Sequence, residues 1–431
     1  MNNKRGFLYY GLLIYTAIFY SQIAGRFPSL ERFRVEFIIG LVLVALCLLK
    51  IINGKVDIRE NRLNLAAFFF IASALLTVPF ALVKRDALDG FFRLIKFFAI
   101  YLMIISAIDS KSKLRGFMFV YVAMISLLFV EPFILSLQGR GFIYNNHMYR
   151  LAGVTGYFFH PNQLGGITAA NLPFFYFLMK SEKSILKKVI LVCLMIAGLR
   201  VIMLTQSRTA FVGVVASAFF IWISSNKKAL SLIILMVLAI LVWHFSPEET
   251  KERFMTLSEV DRVMSTSESD IMGDAQNREA LGSMANRWEL FKRGLVAFVE
   301  NPLLGVGVEC FRSFNGRRWG YWFPPHNTYV QALAEMGLVG SIAFLLLLVY
   351  IFRNLREARR KIIASKEKDT YLYHEVCAVL VYFGAQLVVS LFGQDLYENY
   401  WWLAGGLSVV MLRILKMESS GEETKLEPNR R

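Results

Sequence analysis

An imidazole, two amides and a carboxylate share one short stretch, Pro324-Pro325-His326-Asn327-Thr328-Tyr329-Val330-Gln331-Ala332-Leu333-Ala334-Glu335-Met336-Gly337-Leu338-Val339-Gly340. The two prolines end whatever precedes them, and Asn327 or Thr328 can cap a new helix. An apolar run then continues to about Phe352, long enough to cross a bilayer. Asn327, Gln331 and Glu335 recur at i, i+4, i+8 and so share one helical face. His326 stands at the mouth, and Glu335 lies about 13 Å deeper. A carboxylate at that depth is costly unless it faces protein or water, so it marks a site. A neutral imidazole at such a mouth can take a proton from a hydroxyl. The competing reading is an interfacial histidine followed by packing glycines, Gly337 and Gly340.

The elements that position these groups follow from composition. Of 431 residues, 56% are hydrophobic, and the mean hydropathy is +0.48. The apolar excess falls in blocks of membrane-crossing length, which predicts an all-α integral membrane protein. Twelve spans are expected, at about 7–24, 35–52, 64–83, 91–108, 116–137, 163–179, 185–203, 207–224, 228–245, 326–352, 374–394 and 398–416. The first block shows no small-residue cleavage site and reads as a retained helix. Residues 246–325 form one large loop, and 417–431 a charged tail. The net charge of +16 could suggest nucleic acid, but the cations collect in alternate short loops, as topology signals do. They place both termini in the cytoplasm. Three arginines at Gly25–Arg34 run against this pattern. The four cysteines, Cys47, Cys193, Cys310 and Cys377, form neither a metal knuckle nor a disulfide framework.

On the outer side this topology gathers the loop Leu137–Asn162, the turn Thr205-Gln206-Ser207-Arg208 and the large loop. The first part of that loop, through about Glu279, is polar. Its second part, Ser283–Val299, is helical in pattern, with Trp288, Phe291, Leu295 and Phe298 at i, i+3, i+7, i+10. Pro302 ends it, and the aromatics Trp319, Tyr321, Trp322 and Phe323 follow. An amphipathic helix followed by aromatics reads as a lid at the membrane surface. Arg208 heads the eighth span, either as a snorkelling cation or as a ligand-binding group on a side where cations are disfavoured. Arg287 opens the loop helix, as a solvated charge or a functional one. Asn162, in Phe159-His160-Pro161-Asn162-Gln163-Leu164-Gly165-Gly166, can cap the sixth span or bind sugar hydroxyls. His160 is the weaker histidine, because no polar helical face follows it.

The string His326 to Gly340 resembles the signature of the O-antigen ligase and O-antigen polymerase superfamily, in which a histidine opens a transmembrane helix whose polar pattern ends in E-x-G-x-x-G. Ser207-Arg208 is similar to the superfamily's S-R-x pattern. Arg287-Trp288 through Asn301-Pro302-Leu303-Leu304-Gly305-Val306-Gly307 resembles its loop helix, which starts with an arginine and closes with P-x-x-G-x-G. Pro161-Asn162-Gln163-Leu164-Gly165 is similar to its P-N-x-x-G segment. The resemblance covers mainly residues 150–340. It implies a GT-C-like glycosyltransferase of the bacterial inner membrane with a periplasmic active site. There a glycan passes from undecaprenyl diphosphate to a sugar hydroxyl, with inversion. The role of base falls on His326, and that of diphosphate ligand on Arg208 and Arg287. A guanidinium suits the latter, being always charged and able to grip phosphate oxygens in a fork. Asn162, Asn327, Gln331 and Glu335 would orient the histidine or line the substrate path. The order of the motifs and the single large loop favour a ligase acting on lipid A-core. A polymerase of the same superfamily is the alternative, and a polyprenyl-glycan flippase the rival of another class.

No cofactor is expected. The early outer loops offer Glu31 amid arginines, and Asp86 and Asp89 beside Lys84-Arg85; Asp270 and Asp274 fall in the polar segment. None is a convincing metal-binding pair, so the expected chemistry is metal-free, with arginines neutralising the leaving diphosphate. Phosphate-loop, dinucleotide, nucleophile-elbow and zincin motifs are absent from any usable context.

Overall fold

A computed structural model describes residues 6–27, 32–145, 148–156, 158–225, 275–365 and 370–419, with isolated positions 228, 229, 244 and 251. The expected span 228–245, most of the polar part of the large loop and the C-terminal tail lie outside the described residues. The chain is an all-α integral membrane protein. Its helices are α1 (Phe7–Ser21), α2 (Val35–Ile52), α3 (Arg62–Thr77), α4 (Lys84–Ala107), α5 (Lys111–Leu137), α6 (Pro161–Ser181), α7 (Ile185–Thr205), α8 (Arg208–Ser224), α9 (Ala275–Glu300), α10 (Phe311–Trp319), α11 (Thr328–Ala364), α12 (Thr370–Val389) and α13 (Asn399–Ser419). Among the described residues seven helices are long and apolar enough to cross a membrane, while α1 and α8 are shorter and apolar. Eleven of the twelve expected spans fall on helices.

The bundle is built around α13, which is buried along most of its length, Trp401 and Trp402 included. It packs on α4, α11 and α12. That placement explains why a helix with buried Ser408 and half-buried Arg413 survives here: it meets protein instead of lipid. Two smaller groupings flank it: α6 with α7, α8 and α12, and α1 with α2, α4 and α5.

The two ends of the bundle differ. At one end Lys50 donates to the Ser106 carbonyl at 3.0 Å, Lys416 lies 3.8 Å from Glu60, and Lys111 pairs with Glu418. The start of α1 is there too, since the Tyr9 hydroxyl donates to the Lys113 carbonyl at 2.9 Å. The other end carries the starts of α8 and α11. It also carries an antiparallel ribbon unforeseen in the loop Leu137–Asn162: β1 (Phe142–Asn145) pairs with β2 (Met148–Leu151).

The expected span 326–352 is one helical run, but it is broken at Gly337, where φ is 60° and ψ −158°. In an unbroken helix the N–H groups of Leu338 and Val339 would donate to Ala334 and Glu335. Here they donate to the carbonyls of Pro302 (2.8 Å) and Leu303 (3.2 Å), and the Ala334 and Glu335 carbonyls accept from Val306 (2.9 Å) and Gly307 (3.0 Å). Four exchanged bonds thus replace two lost ones. The glycines are required by the closeness of the two backbones. A Cβ on Gly337 would lie 2.4 Å from the Leu303 carbonyl carbon, and one on Gly305 2.4 Å from that of Glu335. Gly337→Ala should therefore lower the thermal midpoint of the purified protein. That backbone conformation, essentially confined to glycine, alone costs another residue about 1–3 kcal/mol, before any clash. Gly166→Ala, in open space within α6, is the neutral control; equal midpoints for the two variants would contradict this account.

Candidate active site

His326 sits between Pro325 and the cap of α11, with its backbone at φ 50°. Non-glycine residues avoid that region unless the surroundings enforce it. The Asn327 side chain accepts from the N–H groups of Tyr329 and Val330, both at 3.0 Å, and donates to the Leu391 carbonyl at 3.1 Å. The Thr328 N–H donates to the Ser390 carbonyl at 2.9 Å, and the Asp395 N–H to the Thr328 hydroxyl at 2.9 Å. The mouth of α11 is thus held against the turn that follows α12. Asp395 also accepts from Ser390 and Gln386, both at 3.0 Å, and burial pushes its pKa up to about 6.

Arg287 reaches this mouth from α9. Arg287, Leu290, Gly294 and Ala297 share one helical face. On that face Gly294 touches Val330, where an added Cβ would meet Cγ1 at 2.3 Å. Leu290 and Ala297 are buried against Val306, Phe311 and Ala334. The bulky stripe, read from the sequence as part of a lid at the membrane surface, turns away from α11, with Trp288 53% and Leu295 37% exposed. Small residues let α9 approach α11 closely, which a bulky stripe would forbid. Arg293 then ties α9 to α10, lying 4.9 Å from the Trp319 ring centre and 5.0 Å from that of Tyr321.

The His326 imidazole is pushed down to about 4, first by burial and then by the charge of Arg287. It is neutral at neutral pH, as a proton acceptor must be. Were His326 to accept a proton in catalysis, activity would fall only as pH drops towards about 4. An acid limb at the ordinary histidine value of about 6.5 would contradict the burial of this side chain.

Arg208 opens α8, where the Ser207 hydroxyl accepts from the Ala210 N–H at 3.4 Å. A Cβ on Gly213, further along α8, would lie 3.1 Å from Val389, next to the Ser390 that binds Thr328. Arg208 and His326 therefore stand at the same end of the bundle, on helices flanking the end of α12. The turn before Arg208 carries Gln206 at φ 51°.

Sequence reasoning missed Arg150. It is 2% exposed on β2, and its guanidinium donates to the Thr205 carbonyl at 2.8 Å and to the Asn162 side chain at 2.5 Å. No pattern marks it, because its position depends on a ribbon only four residues long on each side. Asn162 does not cap α6. His160 does, its Nδ1 accepting from the Asn162 N–H at 3.2 Å, while Pro161 supplies the first helical position. Burial, and then Arg150, lower the His160 pKa.

Gln331 and Glu335 are buried deeper in α11, at 3% and 2% exposure. Glu335 accepts from Gln331 (3.1 Å), the Tyr397 hydroxyl (2.8 Å) and the Phe311 N–H (3.3 Å). The carboxylate thus binds the start of α10 to α11. It serves the exchanged backbone segment at least as directly as the mouth.

At this end of a multi-pass membrane bundle a half-buried imidazole lies within the field of Arg287, and Arg208 opens a neighbouring helix. Residues 192–345 match the family model described as O-Antigen ligase, a stretch that contains Arg208, Arg287 and His326. Over that stretch the chain is similar to the O-antigen ligase family. It is 23% identical over 126 residues to a candidate polysaccharide ligase of Rickettsia conorii, covering 26% of this chain and 27% of that one. It is 26% identical over 111 residues to the exopolysaccharide production protein ExoQ of Rhizobium meliloti, covering 23% of this chain and 25% of the relative. Each match spans about a quarter of the relative's length.

Proposed function

We propose that this protein transfers a glycan from a polyprenyl diphosphate carrier, undecaprenyl diphosphate, to a sugar hydroxyl of lipid A-core. The reading rests on one observation above the others: Arg287 acts on the charge of His326 at the end of the bundle where Arg208 also stands. His326 takes the acceptor hydroxyl proton as the new bond forms. The hydroxyl oxygen attacks the anomeric carbon opposite the diphosphate, so the linkage inverts. Arg208 and Arg287 hold the leaving diphosphate, the role a metal ion fills elsewhere. Asn162, Asn327, Gln331 and Glu335 shape the surroundings, with α9 and α10 as a lid. The His326 end faces the periplasm and the lysine-rich end the cytoplasm, in the inner membrane.

The ExoQ match favours a second reading, a polymerase in which the acceptor is itself a carrier-linked repeat unit. Purified protein with a polyprenyl-diphosphate glycan and a lipid A-core acceptor should yield conjugate in the presence of EDTA. Product only with carrier-linked acceptor selects the polymerase. Product that EDTA abolishes removes the metal-free step, and movement of the carrier across the bilayer without product points to a flippase.

A further inference from the structure

The His326 end holds a cavity among α1, α4, α5, α6, α12 and α13. It lies beyond the turn that clamps Thr328, and Asn399, which lines it, opens α13 four residues after Asp395. Its walls are aromatic, with Tyr20 and Tyr121 edge to face at 5.0 Å. The Asn399 side-chain nitrogen donates to the Tyr20 hydroxyl, whereas its Oδ1 is buried with no donor. A buried acceptor in this state is suited to a ligand hydroxyl.

Lys96 lines this cavity and also a groove between α2 and α4. The groove is apolar along Leu41, Val44, Phe92 and Met103, with Arg34, Glu36 and Lys96 among its lining residues. The Lys96 amine stands 2.7 Å from Glu36 and 5.1 Å from the Phe19 ring centre. Gln22, in the cavity, and Arg34, in the groove, have φ of 54° and 48°. The remaining non-glycine residues at positive φ among those described are Gln206, Glu309 and His326. Backbone strain of this kind collects where the surroundings hold a site open.

We propose that groove and cavity together bind the membrane-anchored acceptor, an acylated phosphoglycolipid. Its chains fill the groove, its phosphate meets Lys96 and Arg34, and its first sugars enter the aromatic cavity. Sugar rings present C–H faces to aromatic rings and hydroxyls to an orphan amide oxygen, and the cations match an anionic headgroup. That the occupant is the acceptor rests on the reading above, which places the donor diphosphate at Arg208 and Arg287.

The experiment measures binding, without turnover, of lipid A to the purified full chain in detergent micelles. Undecaprenyl phosphate and phosphatidylglycerol are the comparison probes. Wild-type protein should bind lipid A more tightly than phosphatidylglycerol. Ala99→Trp, which fills the groove, and Lys96→Ala should each weaken lipid A binding at least tenfold and leave undecaprenyl phosphate unchanged. Thermal unfolding checks both variants, and Lys96→Ala decides alone if Ala99→Trp does not fold. No binding of lipid A by the wild type, equal binding of phosphatidylglycerol, unchanged variants, or loss of undecaprenyl phosphate binding instead would each overturn the proposal. Because no transfer is read, its failure is distinct from failure of the transfer assay.

Discussion

Replacing His326 with alanine should reduce glycan transfer by about 10²–10⁴-fold, the range expected for loss of a general base, while the protein still folds. The side chain lies at the mouth of α11, and the helix start is held by Asn327 and Thr328, which the substitution leaves in place. Removing a residue at positive φ also leaves the strain to alanine, so a fall in thermal midpoint is no sign of a catalytic role. The discriminating measurement is single-turnover transfer at saturating donor and acceptor, with donor binding read separately. Wild-type turnover in this variant would take the imidazole out of the reaction.

The second large effect is expected for Arg208→Ala and Arg287→Ala. Loss of one preorganised group that stabilises developing charge costs about 10²–10³-fold in rate. Lysine in either place should recover only part of it, since an ammonium cannot form the bidentate fork. Arg287→Ala carries a second signature. Arg287 holds the His326 pKa down, so its removal should raise the acid limb of the pH profile. Arg208 is not among the causes of that shift, and its variant should lose rate without moving the limb. If both variants transferred glycan at the normal rate, the diphosphate would have to be held elsewhere.

The spans were legible because an unbroken apolar run of bilayer-crossing length is rare in any helix that meets water along one side. Arg208, Arg287 and His326 were legible as candidates because each falls in a string that resembles a family motif, although Arg287 stands midway along a helix that begins at Ala275 and does not open it as expected. The turn of α9 about its own axis was not. Two stripes run along it, and hydrophobic period selects the bulkier one, Trp288 to Phe298. Close approach to α11 selects the one with Gly294 and Ala297. Nor could the break at Gly337 be read. The groups that replace its helical bonds come from Pro302 to Gly307, far upstream in the chain, and local spacing carries no record of such a partner. Arg150 was hidden for a like reason: its burial depends on Asn162 at the start of α6 and Thr205 at the end of α7.

The exchange at Gly337 also decides where a covering element could travel. Lifting residues 302–307 off α11 would strand backbone donors and acceptors in apolar surroundings, and each stranded group costs several kcal/mol in such a medium. That segment is therefore a fixed hinge post. Any path for a long-chain carrier past α9 has to leave residues 302–307 in place and open N-terminal to Asn301, along the stretch of α9 that carries Arg287.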